Sequence, residues 1–186
     1  MTASESGPPP TGHTAEGPVH TDVELVRIRM LGLPLALQGR AQEHSDELTR
    51  ELMLVAEQMH QQADGAPELP LRFVELVTAL NSQYSMFTAE QEQQLSAALA
   101  AGDSTVDLVY QVPASVGPAA ASLGAILDEV DDYCREGRLL LTLETPAPLV
   151  TYRRWFLDQF IEQSQGRPPV SWPAYVDNQP AVVQPG

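Results

Sequence analysis

Residues 26–52 read VRIRMLGLPLALQGRAQEHSDELTREL, and the apolar period changes inside this stretch. Val26, Ile28 and Met30 alternate with Arg27 and Arg29, the period of two that marks a strand with one wet face. Gly-Leu-Pro at 32–34 reads as its end. Beyond it Leu37, Ala41, His44, Leu48, Leu52, Val55 and Met59 recur at steps of three and four. That spacing predicts an amphipathic helix over roughly 35–60. A strand that runs directly into a long helix makes the fold α+β.

The rest of the chain extends this pattern. Phe73, Val77, Leu80, Tyr84 and Phe87 fall at helical spacing. Thr88 with Gln91 reads as a capping box that opens a short helix through Leu95 and Leu99, closed by Gly102. TVDLVYQVP (105–113) reads as a second strand, with Val106, Leu108, Tyr110 and Val112 on one face. The helix after it buries Leu123, Ile126, Leu127, Val130 and Cys134 and stops at Gly137. RLLLTLE (138–144) reads as a third strand, parallel to the second if the two are neighbours, because a helix connects them. Pro148 opens a last helix that Gly166 ends. The expected architecture is mainly helical, with a small sheet of about three strands in the order β-α-α-α-β-α-β-α. One domain would span 23–166. Residues 1–22 and 167–186, rich in proline and small polar residues, read as disordered tails, although Trp172 is a residue to fold back.

Composition narrows the function. The chain has 186 residues, 25 acidic against 10 basic, for a formal charge of −15. Such a charge disfavours nucleic acid, whose affinity comes from cations neutralising phosphates, and anionic membranes equally. It suits solubility and a protein partner with a basic surface. The single cysteine, Cys134, forms no internal disulfide, and the chain shows neither an export signal nor a spanning segment. These features give a cytoplasmic expectation.

His44 is the first candidate for chemistry, because it sits on the apolar stripe with Glu47 and Glu51 at its edge. It can be a packed, hydrogen-bonded histidine, a phosphoacceptor, or a general base in a small hydrolase or metal enzyme with the two glutamates. His44 and Glu47 offer a metal two ligands from one helix, but His60 lies about four turns away and no cysteine pair exists for zinc. No metal or other cofactor is expected. DEVDD (128–132) reads as a solvated acidic face or an acidic patch for a partner. Arg153, Arg154 and Trp155 are a candidate contact surface, since arginines beside an aromatic are common at interface centres; the preferred reading has Trp155 roofing the sheet. No triad order, phosphate loop or dinucleotide fingerprint is present, so no catalytic residue is assigned and the chain reads as a non-enzyme.

RMLGLPLALQGRAQEHSDELTREL, VDLVYQVP, LLTLETP and RRWFLDQFIEQ together resemble a group of small acidic actinobacterial proteins of poorly defined role. The resemblance covers about residues 25–173. That group accompanies partner-switching regulators: anti-sigma kinases, STAS antagonists and serine phosphatases. The resemblance implies a regulatory, protein-binding role in bacterial signalling and transfers no catalytic residue. The ATP-binding glycine-rich box of the kinases and the acceptor-serine pattern of the antagonists are both missing from this sequence.

Overall fold

The structure, a computed structural model, describes residues 24–61, 68–137 and 144–179. The described part is mainly helical, with six α-helices and a two-stranded antiparallel sheet. Strand β1 (Leu25–Pro34) pairs with β2 (Thr105–Pro113), setting Ile28 opposite Tyr110, Arg29 opposite Val109 and Met30 opposite Leu108. The alternation read in the sequence holds. Ile28, Met30, Leu108, Tyr110 and Val112 are buried, while Arg27, Arg29, Val109 and Gln111 face out.

One expectation about this sheet needs correction, and another falls mostly outside the described residues. Gly-Leu-Pro does not end β1: the register shifts between Met30 and Leu33, and pairing resumes at Leu33–Val106. Gly32 makes this bulge possible, with φ +67 and its N–H donating to Asp107 Oδ1 at 2.6 Å. A left-handed φ of this kind strains any residue with a Cβ. The three-stranded sheet is not found among the described residues. Of the expected third strand only Glu144 is described, and 138–143 lie outside the described residues.

Helix α1 (Leu35–Gln61) follows β1 without a loop, as the period change implied. Next come α2 (Glu68–Tyr84), a 3-10 turn (Ser85–Phe87) and α3 (Ala89–Ala101), which Gly102 closes at φ 78. After β2, α4 (Val116–Arg135) and α5 (Ala147–Ser164) pack closely together. A Cβ at Gly117 would lie 2.2 Å from Ser164 Oγ, so glycine sets that approach. The short α6 (Trp172–Asp177) follows the prolines.

The core has two centres. The first joins the buried face of the ribbon to Tyr152, Trp155 and Phe160 of α5, Ala98 of α3 and Val116 of α4. The second joins Leu48 and Leu52 of α1, Phe73 of α2, and Ile126, Val130 and Tyr133 of α4. Helices α1 and α4 reach both centres and tie them together.

The Pro-rich stretch expected as a tail from 167 carries α6, which packs on β1 and extends the ordered domain beyond 166. Val170 anchors it: its N–H donates to Gln159 Oε1 (2.9 Å) and its carbonyl accepts from Trp155 Nε1 (2.8 Å). Trp172 then meets Trp155 edge to face at 5.5 Å, so one aromatic is covered as the other is.

A two-stranded ribbon exposes main-chain groups along both edges. Here a glutamine covers one residue on each edge. Gln163 of α5 accepts from Arg29 N and donates to Arg29 O, both at 2.9 Å, as a neighbouring strand would. On the other edge Gln91 Nε2 donates to the Val109 carbonyl at 2.5 Å. Arg29 and Val109 are directly opposed, and because their peptide groups turn to the two outer edges they form a non-hydrogen-bonded pair of the ladder. The Gln91 bond also corrects the capping box. Thr88 precedes α3 without a side-chain cap, since Gln91 is turned inward to the ribbon.

Candidate functional site

His44 lies in α1 between Ala41 and Leu48, half-buried, on the stripe that packs toward α5. Its Nε2 is 2.9 Å from the hydroxyl of Thr145, a buried residue just before α5. Thr145 donates its proton to Asp131 Oδ1 at 2.5 Å. The other oxygen of Asp131 accepts from Arg153 Nη2 at 2.7 Å, and the same nitrogen reaches Asp128 Oδ1 at 2.7 Å. Three helices and the segment leading into α5 thus meet in one chain, His44–Thr145–Asp131–Arg153.

The direction of this chain decides its chemistry. Asp131, clasped by a guanidinium, is an acceptor, so the one hydroxyl proton of Thr145 points to it. Thr145 is left with lone pairs toward the ring, and His44 Nε2 must carry the hydrogen. A histidine acting as base on a threonine nucleophile needs the reverse, a hydroxyl that donates to the imidazole. The arrangement is a latch that holds α1 against α4 and α5.

The ring borders a cavity of about 240 Å3 that it shares with Thr145, Tyr152, Arg153, Leu127 and Leu157. The wall is mostly apolar. Tyr152 donates its hydroxyl to Gln38 Oε1, and burial pushes its pKa above the ordinary phenol value, so it stays protonated at neutral pH.

The glutamates expected beside His44 have separate surroundings. Glu47 is exposed; Glu51 is buried, near enough to Cys134 to act on its ionisation. Burial first, then Asp131, Glu51 and Glu144, push the Cys134 thiol up to about 11. Alkylation by iodoacetamide at neutral pH is therefore expected to run about 100-fold slower than for an ordinary thiol, since two pKa units reduce the thiolate a hundredfold. The same shift sets a sign for stability. As pH rises from the thiol's ordinary value of 9.0 toward about 11, the unfolded thiol ionises before the folded one. Stability contributed at lower pH is lost across that window.

The surface cluster read from Arg153, Arg154 and Trp155 does not form. Trp155 has 0% exposure and lies under α6. Arg153 turns into the acids of α4, leaving Arg154 exposed and only 3.9 Å from Asp128. The acidic run is paired as well: Glu129 with Arg72, Asp132 with Arg135, Asp128 and Asp131 with Arg153. Asp128, Glu129 and Asp132 remain exposed, where such pairs are worth little, whereas Asp131 is buried. Among the described residues no group of three or more His, Cys, Asp or Glu side chains could hold a metal, and no helix is long and apolar enough to cross a membrane.

Thr145 and the buried role of Asp131 carry no local signal, because Thr145 sits in an irregular step before Pro146 and its partner His44 is 101 residues distant. Replacing His44 by leucine is expected to cost about 1 kcal/mol, since Thr145 keeps its bond to Asp131 and loses only an incoming donor. Urea unfolding checks this; a gain in stability would show that the ring only fills space.

Compared with protein-family models, curated proteins and solved structures, the chain has no significant match in any of the three.

Proposed function

We propose that the chain is a non-enzymatic module that works by protein–protein contact, in bacterial signalling of the partner-switching kind that its sequence resembles. One observation carries this reading: the hydrogen-bond chain through His44 is closed and directed away from catalysis, with Thr145 committed to Asp131 and Asp131 to Arg153. The formal charge of −15 favours a partner with a basic surface, and a cytoplasmic setting agrees with the lone cysteine.

Cross-linking in the native cells followed by affinity capture tests the proposal. The expected result is a recurrent protein partner whose recovery falls as salt rises, because screening shortens the reach of charge to about 3 Å near 1 M. Absence of any partner, together with turnover of ester or phosphate substrates, overturns it.

A second reading, His44 as phosphoacceptor, draws on the imidazole being half-buried at the border of the 240 Å3 cavity. Acid-labile labelling by a cognate kinase that disappears in His44→Gln would establish it. Labelling that persists in that variant rejects it.

A further inference from the structure

The two edges of the ribbon are covered unequally. On β1 the Gln163 amide is fully used, its oxygen by Arg29 N and its nitrogen by Arg29 O. On β2 the Gln91 amide is half used. Its nitrogen donates to Val109 O, while its oxygen is the only buried side-chain polar atom without a partner among the described residues. Exchanging the two ends of the amide would set two carbonyl-type oxygens 2.5 Å apart, so the orientation is fixed. Gln91 is 4% exposed, and a buried acceptor with no donor is a standing cost to the fold.

Gln91 lines a groove of about 600 Å3 between α3 and the outer edge of β2. Three of the large exposed apolar side chains converge on it: Met86 at 78% exposure, Leu25 at 50% and Val109 at 41%. Among the described residues its charged members are Glu90 and Asp107, with no arginine. Strand alternation turns the peptide groups of Asp107 and Gln111 to the same side as that of Val109. The groove thus combines apolar surface, negative charge, main-chain hydrogen-bonding groups and an acceptor that lacks its donor. Met86, Glu90 and Gln94 are unbranched side chains that an incoming segment can displace.

We infer that this groove docks an extended peptide segment of a protein partner, with apolar side chains set against Met86, Leu25 and Val109. Flanking lysine or arginine side chains face Glu90 and Asp107, and an N–H of the segment donates to Gln91 Oε1. Extended peptides bind strand edges by this mixture of main-chain bonds and alternating side-chain contacts. The inference rests on the protein-binding reading above and names its surface.

The test pans a display library of random linear peptides, about a dozen residues long, against the full chain. A fluorescein-labelled copy of the best sequence is then titrated by anisotropy. The expected winners pair apolar residues with lysine or arginine. Met86→Glu and Gln91→Leu should each weaken binding by about tenfold or more, the scale of an interface hot spot. Leu54→Glu, at another exposed apolar site on α1, should leave binding unchanged. Met86 is so exposed that its variant keeps the fold even if Gln91→Leu does not. No enrichment, selection of acidic peptides, or affinity indifferent to Met86→Glu overturns the inference. A cellular partner retained by Met86→Glu removes the groove and leaves the module. Loss of every cellular partner in the unmodified protein removes the module itself.

Discussion

Truncating Arg153 to alanine is expected to cost the folded state about 3–5 kcal/mol, the range for removing one partner of a buried ion pair. The Arg153 side chain is 14% exposed and that of Asp131 9%, so solvent does little to replace the lost charge. In a chain of this size the loss corresponds to a fall of roughly 10 °C in Tm. Two consequences separate this cause from simple loss of packing. Pairing Arg153→Met with Asp131→Leu should recover much of the loss, because no uncompensated charge is then buried. Arg154→Ala, one residue along and exposed, should change stability by less than about 0.5 kcal/mol. Equal effects at 153 and 154 would mean that the clasp contributes nothing specific.

Trp155→Ala is expected to cost about 3–5 kcal/mol, as for other fully buried aromatics. Its effect should also be uneven. The indole holds the Val170 carbonyl and supports Trp172, so its removal detaches the C-terminal segment as well as opening the first core centre. Hydrogen exchange over 170–177 should rise well above the change in the second centre around Leu52 and Phe73. Trp155→Phe keeps most of the ring volume and loses the hydrogen bond; it should loosen α6 with a much smaller global loss. Uniform loosening by both variants would show that α6 does not depend on this contact.

The elements were legible where one period ran undisturbed. Both described strands carry a period of two, and α1 repeats at three and four over its whole length. Reading failed where tertiary contact outweighed local pattern. In α5 the buried stripe runs Leu149, Tyr152, Trp155, Gln159, Phe160 and Gln163. Two of its members are glutamines, so an apolar-only stripe rotates the helix toward Phe156 and leaves Trp155 off its centre, although a roof over the sheet remains its preferred place and is where it lies. Thr88 and Gln91 fit a capping box locally, yet the open edge of β2 offered Gln91 a better partner. Gly32 reads as a stop because a proline follows it two residues later, and the two together are a local turn signal. His44 is legible as a polar group on an apolar stripe. What fastens it was not legible, because Thr145 and Asp131 reach it only after α4 and α5 have packed.

The amide that closes the edge of β1 has a consequence for synthesis. Gln163 follows Arg29 by 134 residues, so on the ribosome the first strand is complete long before its cover exists. Until the last long helix emerges, that strand can be paired on one side by β2 and stands open on the other. The nascent protein is then most exposed to wrong pairing with another chain, and release with α5 missing would leave that hazard permanent.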